Sequence, residues 1–330
     1  MRGCALGTKV FELLIVCVGV LFSFFPNFSS AQSTYPNRPI HLIIPFPPGG
    51  GAEVTARLVM QRVGESLMQP VVLESKAGAG GNIGADFVAH APADGYTLLL
   101  ATNAIVVQPH LNKLNWNPIR DFSPVSTIAS YALVIAVKPS LPFKSINDLV
   151  AFAKANPGRL SYGSSGSGGP LHMGAELFAA QTGIKLLHIP YKGNAPMTIA
   201  MLSGDIDMEF DSPLGPLPNI KLGKVRALAT TGKRRSATLP DVPTVSEALQ
   251  NSFTYETWNA IVAPAGTSSD IVSRLNAEIV KVMNKKEVQD QLIKLGYEPK
   301  SSSATDLSEM IASEYKLFGK LIEEHQIKAD

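Results

Sequence analysis

Cysteine is almost absent from this sequence: Cys4 and Cys17 are the only two, and both lie close to the N-terminus. The chain beyond them has no thiol for a disulfide, for nucleophilic attack or for binding a metal. A chain of 330 residues does not need disulfides, because it can bury roughly three quarters of the surface that it exposes when unfolded. We expect one large or two medium-sized domains.

An excess of charge is missing as well. The 29 Lys and Arg residues nearly balance the 27 Asp and Glu residues, which leaves a formal charge of +2. Binding to nucleic acid needs a concentrated basic face, and Lys233-Arg234-Arg235 is too short to supply one. We therefore expect no nucleic-acid partner.

Motifs of common enzyme classes are also absent. No serine has glycines at both −2 and +2, as the nucleophile turn of α/β hydrolases requires, and no Gly-Lys pair is followed by Ser or Thr. The run that begins at Gly78 departs from the dinucleotide fingerprint at Ile83, where a glycine is needed. The six histidines lack the spacing of metal ligands. We expect no metal and no cofactor.

The N-terminus has the features of an export signal. Arg2 and Lys9 precede an apolar run from Leu13 to Phe25, and Ser29-Ser30-Ala31 supplies small residues for cleavage. The alternative is a retained membrane anchor, but the run is shorter than the roughly 20 residues that span a bilayer. We predict that residues 1–31 are a signal peptide that is removed, and that the mature protein is periplasmic.

Two glycine-rich turns stand out in the remaining sequence. The stretches Ile43 to Gly51 and Tyr162 to His172 each run from a short strand through a glycine-rich loop toward a helix. Bare backbone N–H groups at the positive end of a helix dipole bind anions without a cationic side chain. Either loop alone is explained by an ordinary surface turn. The matching pair favours an anion site formed by two facing loops.

Strands and helices alternate along most of the chain. Apolar strands are predicted at Arg38 to Pro45, Val71 to Leu73 and Tyr96 to Thr102, with helices between them. A second series of this kind follows from Ile146 to Asp211. This alternation predicts an α/β fold with two lobes, each a doubly wound sheet flanked by helices.

Two long extended passages separate these series. They lie at Phe122 to Val137 and at Phe253 to Val262, and we interpret them as crossings between lobes. The predicted first lobe consists of residues 32–129 and 253–330, and the second of residues 130–252.

Three chemically active side chains lie next to the loops. Glu53 opens the first helix, where capping and ligand binding are about equally expected. Asp211 follows a strand and could receive an ammonium or hydroxyl group, although a turn residue would look the same. His172 lies in the first turn of the helix after the second loop, where a bond to its own loop is at least as expected as ligand binding.

The order and spacing of several motifs resemble the Bug family of periplasmic solute receptors, the binding components of tripartite tricarboxylate transporters. The resemblance covers essentially the whole mature chain. The matching motifs are Arg38-Pro39-Ile40, Pro45-Phe46-Pro47-Pro48-Gly49-Gly50, Ala77-Gly78-Ala79-Gly80-Gly81-Asn82-Ile83-Gly84-Ala85, Asp94-Gly95-Tyr96-Thr97-Leu98, Tyr162-Gly163-Ser164-Ser165-Gly166, Pro190-Tyr191-Lys192-Gly193, Asp207-Met208, Phe210-Asp211 and Pro240-Asp241-Val242-Pro243-Thr244.

The resemblance implies a type II, or Venus-flytrap, periplasmic-binding-protein fold that closes on a small carboxylate. It also implies that the two glycine loops hold one carboxylate group, partly through ordered water. The sequence departs from the family at Glu53, where the first helix usually carries Asp. The longer side chain is expected to reshape the pocket.

We predict a non-catalytic, monomeric receptor for a di- or tricarboxylate, an aromatic carboxylate or an amino acid, serving a membrane transporter or sensor protein. The alternative is an exported serine hydrolase that uses Ser165 or Ser167 with His172. The predicted ligand-binding residues are Phe46, Pro47, Gly49, Gly50, Glu53, Asn82, Thr102, Ser164, Ser165, Ser167, Gly168, His172, Tyr191 and Asp211.

Overall fold

Two mixed sheets flanked by helices form the protein. The computed structural model describes residues 35–328, so the predicted signal peptide at 1–31 lies outside the described residues. From Arg38 onward the described chain forms one compact unit that contains both sheets. The prediction of a two-lobed α/β fold is confirmed, and we refer to the half built on each sheet as lobe 1 and lobe 2.

The sheet of lobe 1 has six strands in the spatial order β11-β4-β10-β3-β1-β2. β1 pairs in parallel with β2 and β3, whereas β10 runs antiparallel to β3 and β4. Its strands are β1 (Ile40–Ile44), β2 (Val71–Ser75), β3 (Thr97–Thr102), β4 (Phe122–Ala132), β10 (Glu256–Pro264) and β11 (Glu298–Pro299).

The sheet of lobe 2 has five strands in the order β7-β6-β8-β5-β9. β6 pairs in parallel with β7 and β8, and β5 runs antiparallel to β8 and β9. Its strands are β5 (Val134–Val137), β6 (Ser161–Ser164), β7 (Leu187–Pro190), β8 (Met208–Asp211) and β9 (Arg226–Thr230).

The helices cover the faces of both sheets. They are α1 (Gly51–Leu67), α2 (Asn82–Ala89), α3 (Ala104–Leu111), α4 (Ile146–Ala155), α5 (Pro170–Thr182), α6 (Asn194–Ser203), α7 (Pro216–Lys221), α8 (Val245–Leu249), α9 (Ser269–Met283), α10 (Lys286–Lys294) and α11 (Ala304–His325). Within residues 35–328, no helix combines the length and the apolar character that crossing a bilayer would need.

The chain passes between the sheets at two places. β4 ends at Ala132 in the first sheet and β5 begins at Val134 in the second, with Leu133 between them. The return runs from β9, which ends at Thr230, to β10, which begins at Glu256. The residue boundaries predicted for the two lobes stay a prediction.

Some element boundaries differ from the sequence prediction. The sequence pattern predicts helices that begin near Glu53 and at Met197, whereas α1 begins at Gly51 and α6 begins at Asn194. In both cases glycine precedes the helix and the first turn has few large apolar residues, so periodicity alone places the start too late. α3 was not predicted, because it is apolar on most sides and carries Pro109 in its interior.

Candidate functional site

A small cavity lies between the two predicted loops. Its volume is about 30 Å³, and both lobes contribute to its wall. The lining residues are Phe46, Pro47, Gly50, Gly51, Ala52, Glu53, Thr102, Tyr131, Ser165, Pro170, Leu171, Asn194 and Ser212. Strands β1 and β3 end at this edge in lobe 1, and β6 and β8 end there in lobe 2, as expected where the carboxyl ends of parallel strands meet.

Three helices begin at this cavity, and each begins after a glycine. Gly50, Gly169 and Gly193 are the N-cap residues of α1, α5 and α6, and none of these helices has a side-chain cap. By contrast, Ser145, Thr244 and Ser303 cap α4, α8 and α11 through their hydroxyl groups. The first-turn amides at the cavity therefore lack the side-chain acceptor that satisfies such groups elsewhere.

The charge of the cavity wall comes from one residue. No Lys or Arg occurs among the lining residues, and Glu53 is the only ionisable carboxyl group among them. Arg57 donates to Glu53 over 2.5 Å, and the N–H of Gly49 donates to the other carboxylate oxygen over 2.7 Å. The hydrogen bond from Arg57, and then that from Gly49, lower the pKa of Glu53. Glu53 is therefore ionised, and its carboxylate is hydrogen-bonded to its own loop through Gly49.

The loop before α5 is held mainly by its own hydrogen bonds. Gly166 N–H donates to the Ser164 hydroxyl, and Gly169 N–H donates to the carbonyl of Gly166. The Gly168 N–H donates to Nδ1 of His172 over 3.0 Å. These amides are already used within the protein. The loop therefore serves largely to position α5, and Ser165 is its member that reaches the cavity.

Two stacked histidines lie behind this loop. The rings of His172 and His188 are 4.3 Å apart, and Nε2 of His188 lies 2.7 Å from the Ser164 hydroxyl. His172 is buried and accepts from its own loop, which is the structural role weighed for it above. Ser164 is fully buried as well. The serine that lies 2.7 Å from a histidine is thus Ser164, whereas the hydrolase alternative relied on Ser165 or Ser167.

Gln108 of α3 joins the two lobes beside the cavity. Its amide nitrogen donates to the carbonyl of Ser167 in lobe 2 and to that of Gly80 in lobe 1, over 3.0 and 3.3 Å. Its carbonyl oxygen accepts from Asn82 and from Asn112. Gln108 therefore ties the Gly78–Asn82 turn to the loop before α5.

Tyr255 forms a second connection between the lobes. Its hydroxyl donates to the carbonyl of Pro170 over 2.8 Å and accepts from the amide of Asn103 over 2.9 Å. Pro170 opens α5 and Asn103 follows β3, so one buried side chain fixes the N-terminus of α5 against lobe 1.

Two buried carboxyl groups lie on β8 next to the cavity. Glu209 and Asp211 are 2% and 0% exposed, and Oε2 of Glu209 and Oδ2 of Asp211 have no hydrogen-bond partner within residues 35–328. Burial raises the pKa of Asp211 to about 7 and that of Glu209 well above its usual value. Oδ1 of Asp211 accepts from Asn194 over 2.6 Å and from the N–H of Ser212 over 2.6 Å.

The structure brings only part of the predicted set to the cavity. The lining includes Phe46, Pro47, Gly50, Glu53, Thr102 and Ser165. Asn82 lines an adjoining space of about 10 Å³ that shares Phe46 and Thr102 with the cavity. The other predicted residues do not line this cavity, and these are Gly49, Ser164, Ser167, Gly168, His172, Tyr191 and Asp211.

Sequence reasoning missed several lining residues. Asn194 follows strand β7 and Gly193, so it belongs to a third strand, glycine and helix pattern that was not recognised. Ala52 belongs to the first turn of α1, whose start the prediction placed too late, and Leu171 was predicted only as the first residue of a helix. No local signal in the sequence points to Tyr131, which reaches the cavity from the strand that leads into lobe 2.

A larger cavity of about 340 Å³ lies beside the crossing strands. Its wall includes Ser130, Val134, Thr230, Thr238 and Glu298, and it shares Tyr131 with the small cavity. Volume alone would favour it as the ligand site. The uncapped helix N-termini, however, meet at the small cavity, which is where an anion is stabilised.

Two α/β lobes, with a cleft lined by helix N-termini, define the class of two-lobed periplasmic solute-binding proteins. The family described as "Tripartite tricarboxylate transporter family receptor" matches residues 55–327. The chain belongs to this family, and the predicted resemblance to Bug receptors is confirmed. Receptors of this family are periplasmic proteins of solute transport.

Individual relatives match over most of their length. Protein BugT of Bordetella pertussis is 35% identical over 297 residues, which is 89% of this chain and 91% of BugT. The structure of R. palustris Rpa4515 with adipate is 32% identical with a TM-score of 0.85, covering 89% of this chain and 99% of that one. MatC from Rhodopseudomonas palustris with bound malate is 26% identical with a TM-score of 0.81, covering 87% and 100%.

Proposed function

We propose that this protein is a non-catalytic periplasmic receptor that holds one carboxylate group of a small organic acid at the N-termini of α1 and α5. The observation that carries the proposal is the meeting of these two helices, of 17 and 13 residues, in one cavity without side-chain caps and without a lining cation. Each helix N-terminus carries roughly half a positive charge and presents unused N–H groups.

The direct contacts are expected from the first turns of both helices. We expect the amides of Gly51, Ala52 and Leu171 and the hydroxyl of Ser165 to donate to the carboxylate oxygens, because all four residues line the cavity. The predicted residues behind the cavity then have a supporting role. His172 and Ser164 hold the loop before α5, and Gly49 holds Glu53.

The ligand class follows from this chemistry and from two relatives. One solved relative carries adipate and another carries malate, both small carboxylates. We propose a ligand of the same general kind, bound by one receptor molecule and released unchanged to a membrane transporter or sensor. We also propose export with removal of residues 1–31 and a monomeric state.

A thermal-shift screen of the mature protein tests this function. The panel contains aliphatic and aromatic carboxylates, amino acids and, as matched controls, the corresponding neutral amides. A ligand at 100 times its dissociation constant should stabilise the native state by about 2.7 kcal/mol. A binder recovered unchanged after prolonged incubation supports a receptor. Amides that stabilise as well as their acids, or hydrolysis of a bound amide, would contradict it.

A further inference from the structure

The amide group of Asn194 has a fixed orientation in the cavity. Its nitrogen donates to Oδ1 of Asp211 over 2.6 Å. The same Oδ1 also accepts from the backbone N–H of Ser212, so it acts as an acceptor at this position. Turning the Asn194 amide over would place two acceptor oxygens against each other, which is unfavourable. The nitrogen of Asn194 therefore faces Asp211, and its carbonyl oxygen faces away.

Titration of Asp211 does not change this orientation. Oδ1 is used by two N–H donors, whereas Oδ2 has no partner within the described chain. A proton taken up by Asp211 is therefore best placed on Oδ2. Oδ1 then stays an acceptor in both protonation states, and the Asn194 amide keeps its direction.

The carbonyl oxygen of Asn194, which has no hydrogen-bond partner within residues 35–328, lies next to the start of α1. Oδ1 of Asn194 lies 3.3 Å from the position that a Cβ atom would take on Gly50. Gly50 and Asn194 both line the cavity, and Gly50 is the N-cap of α1. An acceptor from lobe 2 thus lies next to the amides that the proposed carboxylate would use.

Such an acceptor disfavours a ligand that has only a carboxylate group at this position. It favours a ligand that also carries a hydrogen-bond donor next to the carboxylate. A carboxylate oxygen and an amide oxygen repel each other unless a hydrogen atom lies between them. A site that offers a fixed, partly buried acceptor rejects analogues that lack the matching donor, because the acceptor then stays unpaired. Glu53 adds a second acceptor to the same wall.

We infer that Asn194 selects ligands with a hydroxyl or ammonium group on the carbon next to the bound carboxylate, and that Asp211 acts as the positioning residue for Asn194. This inference rests on the proposed function. It narrows the ligand class from small organic acids to 2-hydroxy and 2-amino acids.

Matched acid pairs test the inference by calorimetry on the mature protein. The pairs are succinate with malate, propionate with lactate, phenylacetate with mandelate, and adipate with 2-hydroxyadipate. Hydroxy acids are used because a neutral hydroxyl group, unlike an ammonium group, gains little from the charge of Glu53. In the wild type we expect the hydroxy acid of a bound pair to bind about tenfold more tightly than its parent.

Substitutions assign the selectivity to its residues. Asn194→Ala should bring both members of the pair to within about twofold of each other, with a smaller change for the parent acid. Asp211→Ala should also reduce the ratio of the two affinities to within about twofold. Asp211→Asn should restore this ratio, because its amide oxygen can accept from the same two donors, Asn194 and the N–H of Ser212. Ile199→Ala is the control, since this side chain is 67% exposed on the same helix.

The outcomes separate the inference from the function on which it rests. Equal affinity for both members of a bound pair in the wild type would overturn the inference and leave the receptor function standing. If Asn194→Ala weakened the binding of both acids of a pair equally, the inference would also be overturned and the receptor function would stand. If no carboxylate in the panel binds, both the function and the inference fail.

Discussion

At the scale of single residues, Gly50 is the position where one added methyl group reaches the cavity. Its backbone is extended, with φ of −78°, so alanine fits the conformation, and a Cβ would meet only Asn194 and Pro47 nearby. We expect Gly50→Ala to weaken carboxylate binding by about tenfold or more, because overfilling a packed site costs roughly 1–3 kcal/mol. The loss in unfolding free energy should stay below about 1 kcal/mol.

Calorimetry and urea denaturation of the same variant check this prediction. Gly51→Ala provides a contrast, since a Cβ there would overlap the hydroxyl group of Tyr297 and should destabilise the fold instead. Unchanged affinity in Gly50→Ala would mean that the ligand does not approach the start of α1.

Glu314 on α11 gives a pH dependence that can be assigned to one group. Burial raises its pKa to about 7, although the Trp258 indole donates to it over 2.8 Å. A carboxyl group with a raised pKa in the folded state contributes stability that is complete below its unfolded pKa near 4.5. That contribution is lost as the pH rises through about 7.

Glu314→Gln keeps an acceptor for Trp258 but cannot ionise. The variant should therefore gain stability relative to the wild type between pH 4.5 and pH 8, by up to about 3 kcal/mol. Urea denaturation at both pH values measures the difference. A difference that is the same at both would show that Glu314 does not titrate in this range.

At the scale of elements, α3 connects a turn of lobe 1 to a loop of lobe 2 through the side chain of Gln108. The side chain of Gln108 donates to the carbonyl of Ser167, and that bond crosses from lobe 1 to lobe 2. Gln108→Ala should weaken ligand binding by about three- to tenfold, since it removes a hydrogen bond that joins the two lobes beside the cavity. Stopped-flow measurement should locate most of the change in the dissociation rate.

Asn112→Ala is the matched control for this experiment. Asn112 donates to the same glutamine over 2.7 Å, and no bond from its side chain to lobe 2 is seen among the described residues. Binding should be close to that of the wild type in this variant. Equal weakening in both variants would point to general damage to α3 instead of a lost connection between lobes.

The sequence was most informative where a local rule applies. Ser145 directly precedes the helical pattern from Ile146 to Ala155, which predicts a helix cap. It does cap α4 through its hydroxyl, because capping depends on residues three positions apart. The buried apolar strands β1 and β3 were also placed to within about two residues. The roles of Gln108 and Tyr255 were not predicted, since each depends on partners that are distant along the chain.

In the candidate site, too, the features set by local sequence were predicted and those set by distant residues were not. Both glycine loops lie next to the small cavity, as their strand and helix pattern indicated. The pattern could not show which amides were already used. Gly49 and Gly168 donate within the protein, to Glu53 and His172, whereas the first turn of α1 stays available.

At the scale of the whole molecule, two cavities are candidate ligand sites, and they differ in the groups that would stabilise a bound ligand. The larger one offers volume beside the crossing strands, with Arg234, Glu256 and Glu298 in its wall. The smaller one offers the N-termini of α1 and α5 and contributions from both lobes. Closure of the lobes around the smaller one is the motion expected of a two-lobed receptor.

A crystal structure of the mature protein with a carboxylate selected by the thermal-shift screen would show which cavity holds the ligand. We predict one ligand per molecule, with a carboxylate oxygen within hydrogen-bond distance of the amides of Gly51 or Ala52 and of Leu171. A ligand seated instead in the larger cavity, between Thr230 and Glu298, would contradict the assignment of the site.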